Sequence, residues 1–260
     1  MEFRIAEKIK LSAQVSLILV LNALSFNLTA QTSIDDERIT FVRLTAEQYR
    51  NSIRDIFGDS IEITGNAIAA GVREAGLMAV GGRRLTLSSS EVESYEVLAL
   101  DVASQVMSPS RRNTLIPCRP ENENVFDGDC ARKFISTVGF HMFRRSLSEY
   151  EIGSYSAMAS KATESLGGFY IGLQAALVGM MVSPDFLFRI ERSVPSQETP
   201  GIRRLDAWSR ASRLSFFLWN TTPSPALLQA AQSGELMFEA GLDEQVQRMI
   251  ASPRIEDGLR

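Results

Sequence analysis

A segment that is apolar almost all round, residues 169–182, constrains the fold of this chain more than any other feature. Only Gly172, Gln174 and Gly179 interrupt it. A helix that is apolar on every side has to be surrounded by other elements, and a bilayer span would need about 20 mainly apolar residues. The segment therefore predicts a helix buried at the centre of a bundle.

Several other segments carry helix start signals followed by apolar residues at helical spacing. Three capping boxes are present: Thr45 with Gln48, Ser90 with Glu93, and Ser148 with Glu151. No segment shows the polar-apolar alternation of a half-buried strand. Because 45% of the 260 residues are hydrophobic, a sizeable core is expected. We predict an all-α fold, a helical bundle of about eight helices in two packed units, with a polar connector at residues 193–201.

The segment after the connector predicts an amphipathic helix over residues 206–220. Its apolar stripe consists of Trp208, Ala211, Leu214, Leu218 and Trp219. The sequence stops at Arg260 in mid-pattern, so we expect a domain at residues 202–260 that is truncated at its C-terminus. The stripe should then stay exposed in this chain.

Residues 1–30 have the pattern of a secretory signal peptide. A basic region with Arg4, Lys8 and Lys10 precedes an apolar stretch, and Ala30 supplies a small residue before a polar run. A lipoprotein anchor is disfavoured because no cysteine lies near. We therefore expect an exported protein, periplasmic or extracellular, without a membrane span once the signal peptide is removed.

Cys118 and Cys130 are the only cysteines of the chain. In an exported protein such a pair favours a disulfide, which would staple the bundle. Metal ligation is the alternative, but it needs further ligands, and the single histidine, His141, cannot complete a usual zinc set. The sequence also lacks Cys-x-x-Cys-His, so no c-type haem and no other cofactor is expected in this chain.

The charge pattern excludes nucleic acid as an expected partner. The net charge is −4, and the basic residues are scattered in pairs rather than gathered into a stripe.

Candidate site residues are few, and we assign none as catalytic. His141 could titrate near neutral pH, although its apolar neighbours favour packing. Asp127 and Asp129 are weak calcium candidates in an acidic loop. Arg213 with Asp206, and Arg54 with Asp55, suit fixed ion pairs better than substrate binding. Trp208 and Trp219 could stack on sugar rings, but their spacing favours packing.

Three groups of residues resemble one family: secreted, cytochrome-associated multidomain proteins of unknown function that occur in planctomycetes and proteobacteria. The first is the run from Phe41 to Gly58, FVRLTAEQYRNSIRDIFG. The second contains Cys118, Cys130, Phe134, Phe143-Arg144-Arg145 and Leu147, with Ser146 where proline is usual. The third contains Leu205-Asp206, the run from Ala211 to Trp219, Pro223 and the run from Met249 to Arg254.

The resemblance implies three helical domains, at residues 41–110, 118–192 and 202–260. Together with the chemistry of the single residues, it leaves a list of possible binding residues. That list is His141, Arg144, Arg145, Trp208, Arg213 and Trp219. Because the chain is rich in packing signatures and poor in convergent polar groups, we expect an accessory, binding or structural module. The resemblance implies that its partners are C-terminal domains of the same protein or a cytochrome, with haem only in domains beyond the chain end. The alternative is an extracytoplasmic enzyme, oxidative or acting on polysaccharide, whose site is completed by further domains.

Overall fold

A computed structural model describes residues 39–63, 87–196 and 199–258. The predicted signal peptide at residues 1–30 lies outside them. The described residues contain these helices: α1 (Ala46–Phe57), α2 (Ser89–Met107), α3 (Arg112–Leu115), α4 (Gly128–Met142), α5 (Glu149–Leu166), α6 (Phe169–Met181), α7 (Pro184–Leu187), α8 (Ala207–Leu218), α9 (Pro225–Gln232), α10 (Glu239–Ile250) and α11 (Ile255–Gly258), with a 3₁₀ turn at Glu235–Met237. The strands are β1 (Ile39–Arg43), β2 (Phe188–Pro195) and β3 (Arg203–Leu205).

The helical fold class is confirmed, and two of the three predicted helix starts are correct. Thr45 with Gln48 caps α1, and Ser148 with Glu151 caps α5, each with both reciprocal hydrogen bonds. Eight of the described helices have eight residues or more, and the remaining three are single turns of four residues. Local sequence signals therefore set most of the helical framework.

The predicted start of α2 is wrong by two residues. Ser88, rather than Ser90, is the N-cap, and its partner is Glu91 rather than Glu93. The run of serines offers the same spacing twice, and Glu91 also accepts a 2.7 Å hydrogen bond from Arg43 on β1. This tertiary contact favours the earlier register.

A small sheet, which the sequence did not predict, adds strands to the helical bundle. Its order is β1-β2-β3, and both pairs are antiparallel. β1 pairs with the first part of β2 in a register that places Ile39 opposite Arg192, and Ser193 of β2 lies opposite Leu205 of β3. Of the expected connector at residues 193–201, residues 193–195 are therefore the end of a strand and residues 199–201 belong to a turn.

The central position of α6 is confirmed. Phe169, Leu173, Leu177 and Met180 are fully buried. Helix α5 approaches α6 closely at Gly172, where a side chain would meet the main chain of the neighbouring helix.

The buried hydrophobic side chains of the described residues form two clusters. The larger one joins α1, α2, α4, α5, α6 and α7. The smaller one joins α8, α9, the 3₁₀ turn and α10. The residues after β3 therefore have a hydrophobic core of their own.

The apolar stripe of α8 lies in this smaller cluster, so the expectation that it stays exposed is wrong. Ala211 and Trp219 are buried, and the other three members are partly buried against the same cluster. Helices α9 and α10, which follow in the same chain segment, cover the stripe.

The predicted disulfide between Cys118 and Cys130 is present and joins the segment after α3 to the first turn of α4. The loop between the cysteines also contacts α6, because the carbonyl of Glu123 accepts a 2.7 Å hydrogen bond from the amide of Phe169. Arg112 holds both oxygens of the Glu123 carboxylate at 3.0 Å. The disulfide thus anchors a loop that rests on the central helix.

Within the described ranges, no helix combines the length and apolar character needed to cross a membrane.

Candidate functional site

A cleft lies between the turn that follows α4 and the first half of α8. One wall comes from the turn at residues 143–145 and from Asp185 of α7, and β2 forms the floor. The lining residues are Phe143, Arg144, Arg145, Asp185, Ile190, Arg192, Asp206, Trp208, Ser209 and Ser212. Its volume is about 80 Å³, enough for several water molecules or one small chemical group.

Arg145 holds two carboxylates in this wall. It donates to both oxygens of Glu151, at 3.0 and 2.7 Å, and to Oδ1 of Asp185 at 2.7 Å. The hydrogen bonds from Arg145 lower the pKa of Glu151 to about 2, and those to Glu151 raise the pKa of Arg145. Arg145 and Glu151 are therefore ionised, and Arg145 fixes both acidic side chains, because a planar guanidinium can serve two carboxylates at once.

Arg144 has a different role, since its guanidinium is buried and faces main-chain carbonyls. It donates to the carbonyl oxygens of Asp185, Phe186 and Phe188, the last at 2.8 Å. Burial lowers its pKa to about 9. Its φ of +59° lies in the left-handed region that non-glycine residues rarely adopt. Arg144 thus ends α4 and joins it to the α7–β2 junction.

The opposite wall is the N-terminal end of α8. Asp206 caps this helix by accepting a 2.7 Å hydrogen bond from the amide of Ser209. The hydroxyl of Ser209 in turn accepts a 2.8 Å hydrogen bond from the amide of Arg192 on β2. Trp208 is partly buried and contacts Phe140 edge to face, with ring centroids 5.9 Å apart. This wall therefore combines an aromatic ring with polar groups that are anchored to the sheet.

Three of the six possible binding residues, Arg144, Arg145 and Trp208, meet in this cleft, and the other three lie elsewhere. Trp219 is buried and donates from Nε1 to the carbonyl of Met249 at 3.0 Å. Arg213 is exposed. His141 lines a separate shallow groove, and burial lowers its pKa.

The two ion pairs expected from neighbouring sequence are replaced by others. Arg213 lies 3.8 Å from Glu191 of β2 rather than beside Asp206, whose carboxylate caps α8. Asp55 binds Arg254 and the hydroxyl of Thr221 rather than Arg54. In both cases the actual partner comes from an element that is distant in sequence, so the motif alone does not reveal it.

The calcium candidates have a structural explanation. Asp127 is the N-cap of α4 and accepts a 2.9 Å hydrogen bond from the amide of Cys130. Asp129 is exposed in the first turn, where an acidic side chain suits the helix dipole. In the part of the chain that the structure describes, no three His, Cys, Asp or Glu residues are grouped so that they could hold a metal ion.

Asp185, Arg192 and Ser212 of the cleft were not singled out by the sequence. Asp185 stands after Ser183 and Pro184, a pattern that signals only the start of a short helix. Its contact with Arg145 joins residues 40 positions apart, so no local pattern could reveal it.

Two segments of the chain match protein families. Residues 130–191 match PSD5, described as a protein of unknown function (DUF1595). Residues 205–260 match PSD4, described as a protein of unknown function (DUF1592). Two domains of unknown function are therefore present. Arg144, Arg145 and Asp185 belong to the DUF1595 segment, and the α8 wall belongs to the DUF1592 segment, so the cleft lies between the two. No curated protein and no solved structure matches the chain.

Proposed function

We propose that this chain is an accessory binding module of an exported protein and that its ligand enters the cleft between the DUF1595 and DUF1592 domains. The observation that carries the proposal is the composition of the cleft, whose walls come from both domains and place Trp208 opposite fixed polar side chains. Small-molecule sites occur preferentially at domain interfaces and combine apolar surface with a few oriented polar groups.

The charges of the cleft favour an uncharged ligand. Three arginines line the cleft: Arg144, Arg145 and Arg192. Three carboxylates balance them: Asp185 and Asp206 of the lining, and Glu151, which binds Arg145. A charged ligand would therefore meet no unbalanced partner, whereas hydroxyl groups could exchange hydrogen bonds with Ser212 and with the carboxylates. The best fit is a small group that bears hydroxyls and has an apolar face, such as the edge of a sugar ring.

Export and a cytochrome-associated role complete the proposal. Disulfides persist mainly in oxidising compartments, and Cys118–Cys130 supports such a location. The resemblance to secreted cytochrome-associated proteins supports a partner that is either a cytochrome or a C-terminal domain of the same protein. It also supports a third family domain at residues 41–110.

Tryptophan fluorescence tests the cleft, because the two tryptophans of the chain can be separated. Trp219→Phe leaves Trp208 as the only tryptophan, and Trp208→Phe leaves the buried Trp219 as the matched control. We expect glucose to change the emission of the Trp219→Phe protein in a saturable way, with little effect from acetate or phosphate. The Trp208→Phe protein should not respond. If neither glucose, acetate nor phosphate changes the emission of Trp208, the binding proposal fails.

Cell fractionation tests the export proposal. The full chain should be recovered outside the cytoplasm without residues 1–30, and thiol labelling without reductant should find both cysteines protected. Chromatography of the native extract should show the protein eluting together with a haem absorbance band. Recovery of a full-length cytoplasmic chain, or elution without haem, would contradict the corresponding part of the proposal.

A further inference from the structure

We propose that the DUF1592 domain swings on the β2–β3 hairpin to open the cleft, and that Asp55 of α1 is the latch that holds it closed. This inference rests on the proposed function, because it concerns access to the same cleft. Four observations carry it: the separate cores, the polar contacts at the end of α8, the position of the hairpin, and the way the walls of the cleft are divided.

The two hydrophobic clusters do not merge. The cluster of the DUF1592 domain contains Ala211, Trp219, Leu227 and Met249, and the larger cluster ends at Phe188 of β2. A domain with its own core can move as a rigid body, because the motion does not expose that core to water.

Hydrogen bonds join the turn after α8 to α1 and α4. The turn after α8 contains Thr221 and Thr222, both buried. Thr221 donates to Oδ2 of Asp55 at 2.7 Å, and Thr222 donates to the carbonyl of His141 at 3.1 Å. Arg254 binds the same oxygen of Asp55.

Asp55 therefore joins α1 to two separate parts of the DUF1592 domain. Water can replace such hydrogen bonds when the surfaces separate, which makes an opening less costly than breaking an apolar interface.

The hairpin lies at the other end of α8. Residues 193–195 of β2 pair with residues 203–205 of β3, and the chain enters α8 directly afterwards through Asp206. The 12 residues of α8 span about 18 Å at the helical rise per residue. Since the latch acts at one end and the hairpin at the other, release of Asp55 frees the end of α8 that can travel farthest.

A tilt of α8 would widen the cleft. Trp208 and Ser212 lie on this helix, whereas Arg144 and Arg145 are fixed to the DUF1595 domain by their contacts with α5 and α7. The ring of Phe216, further along α8, lies 5.7 Å from the guanidinium carbon of Arg144. The two walls therefore come from different matched segments, and a tilt of α8 about its end at the hairpin would change the distance between them.

Cysteine reactivity tests the latch in the full chain. Ser212 is 4% exposed in the closed structure, so Ser212→Cys should react slowly with a maleimide, while the native disulfide stays unreactive. Asp55→Ala should raise this rate about tenfold, a factor that corresponds to about 1.4 kcal/mol in the opening equilibrium. Asp59→Ala, which removes an exposed carboxylate just after α1, is the matched control and should leave the rate unchanged.

A second reporter separates a swing from a general loss of stability. Thr163 is buried in α5, so Thr163→Cys reacts only when the DUF1595 core opens. The proposal is overturned if Asp55→Ala leaves the labelling rate of the Ser212→Cys protein unchanged, or if it raises the rates at both reporters by the same factor. Labelling needs no ligand, so a swing without any response to glucose would contradict the proposed function alone. A response to glucose without a change in labelling would contradict the latch alone.

Discussion

Arg145 and Glu151 link a helix start to the wall of the cleft. The two side chains form a bidentate pair, while the carboxylate of Glu151 also accepts a 2.8 Å hydrogen bond from the amide of Ser148, the N-cap of α5. The residue that completes a local capping box is therefore also the residue that positions Arg145 next to Asp185. Loss of this carboxylate should weaken the helix start and the cleft wall together.

Glu151→Gln should lower stability in a pH-dependent way. The pKa of Glu151 is lowered to about 2 in the folded protein, so the unfolded chain takes up the proton first as the pH falls. The stabilisation is complete above about pH 5 and is lost as the pH falls towards 2. Because the pair is partly exposed, we expect Glu151→Gln to lower the free energy of unfolding by about 1–2 kcal/mol at pH 7.

Urea denaturation at pH 7 and pH 3 measures this effect. The difference in the free energy of unfolding between Glu151→Gln and the parent protein should be less than half as large at pH 3 as at pH 7. Glu149→Gln is the matched control, because Glu149 is exposed in the same first turn. An equal difference at both pH values would show that Glu151 does not act through its charge.

Two substitutions of Arg144 separate the stability that comes from its side-chain hydrogen bonds from the cost of its left-handed backbone. Arg144→Ala removes the donors from three carbonyls but keeps a side chain at a φ of +59°, and we expect a loss of about 2–4 kcal/mol. Arg144→Gly removes the same donors and relieves the strain, so it should be about 1 kcal/mol more stable than Arg144→Ala. Thermal or urea unfolding measures both variants. Equal stability of the two would show that the strain at this position is no larger than the extra backbone entropy that glycine loses on folding.

Features that depend on residues close in sequence could be predicted. The capping boxes at Thr45 and Ser148 and the central helix α6 each rest on signals within a few positions. The predicted start of α2 was wrong because Ser88 and Ser90 offer the same capping-box spacing, and a contact of Glu91 with Arg43 decides between them. Local chemistry therefore sets where helices form, but tertiary contacts choose between equivalent starts.

Features that join distant residues could not be predicted. β1 pairs with a strand that lies more than a hundred residues away, and neither strand shows a clean alternation. Asp55 finds its partner in Arg254, 199 positions later. The cleft likewise combines residues from the turn after α4, from α7, from β2 and from α8 with its N-cap, and their meeting depends on packing rather than on any one segment.

The disulfide should contribute strongly to stability because the loop it closes also contacts α6. Cys118→Ser should lower the free energy of unfolding by about 2–5 kcal/mol. Reduction of the parent protein should produce the same loss, and Cys130→Ser should match Cys118→Ser. Calorimetry or urea denaturation under oxidising and reducing conditions provides the comparison. A variant as stable as the oxidised parent protein would show that the hydrogen bonds of Glu123 hold the loop without the disulfide.

Two glycines in neighbouring helical elements should respond oppositely to substitution by alanine. A Cβ at Gly172 of α6 would clash with the hydroxyl of Thr163 and the carbonyl of Ala159, whereas a Cβ at Gly153 of α5 would meet no atom within 4 Å. Because the clash involves main chain, the α5–α6 pair would have to separate, and Gly172→Ala should lower the free energy of unfolding by about 1–3 kcal/mol or more. Gly153→Ala should instead raise it by up to about 1 kcal/mol, since alanine favours the helix. Urea denaturation of both variants tests the close approach directly: if Gly172→Ala were as stable as Gly153→Ala, α6 could not lie against the main chain of α5.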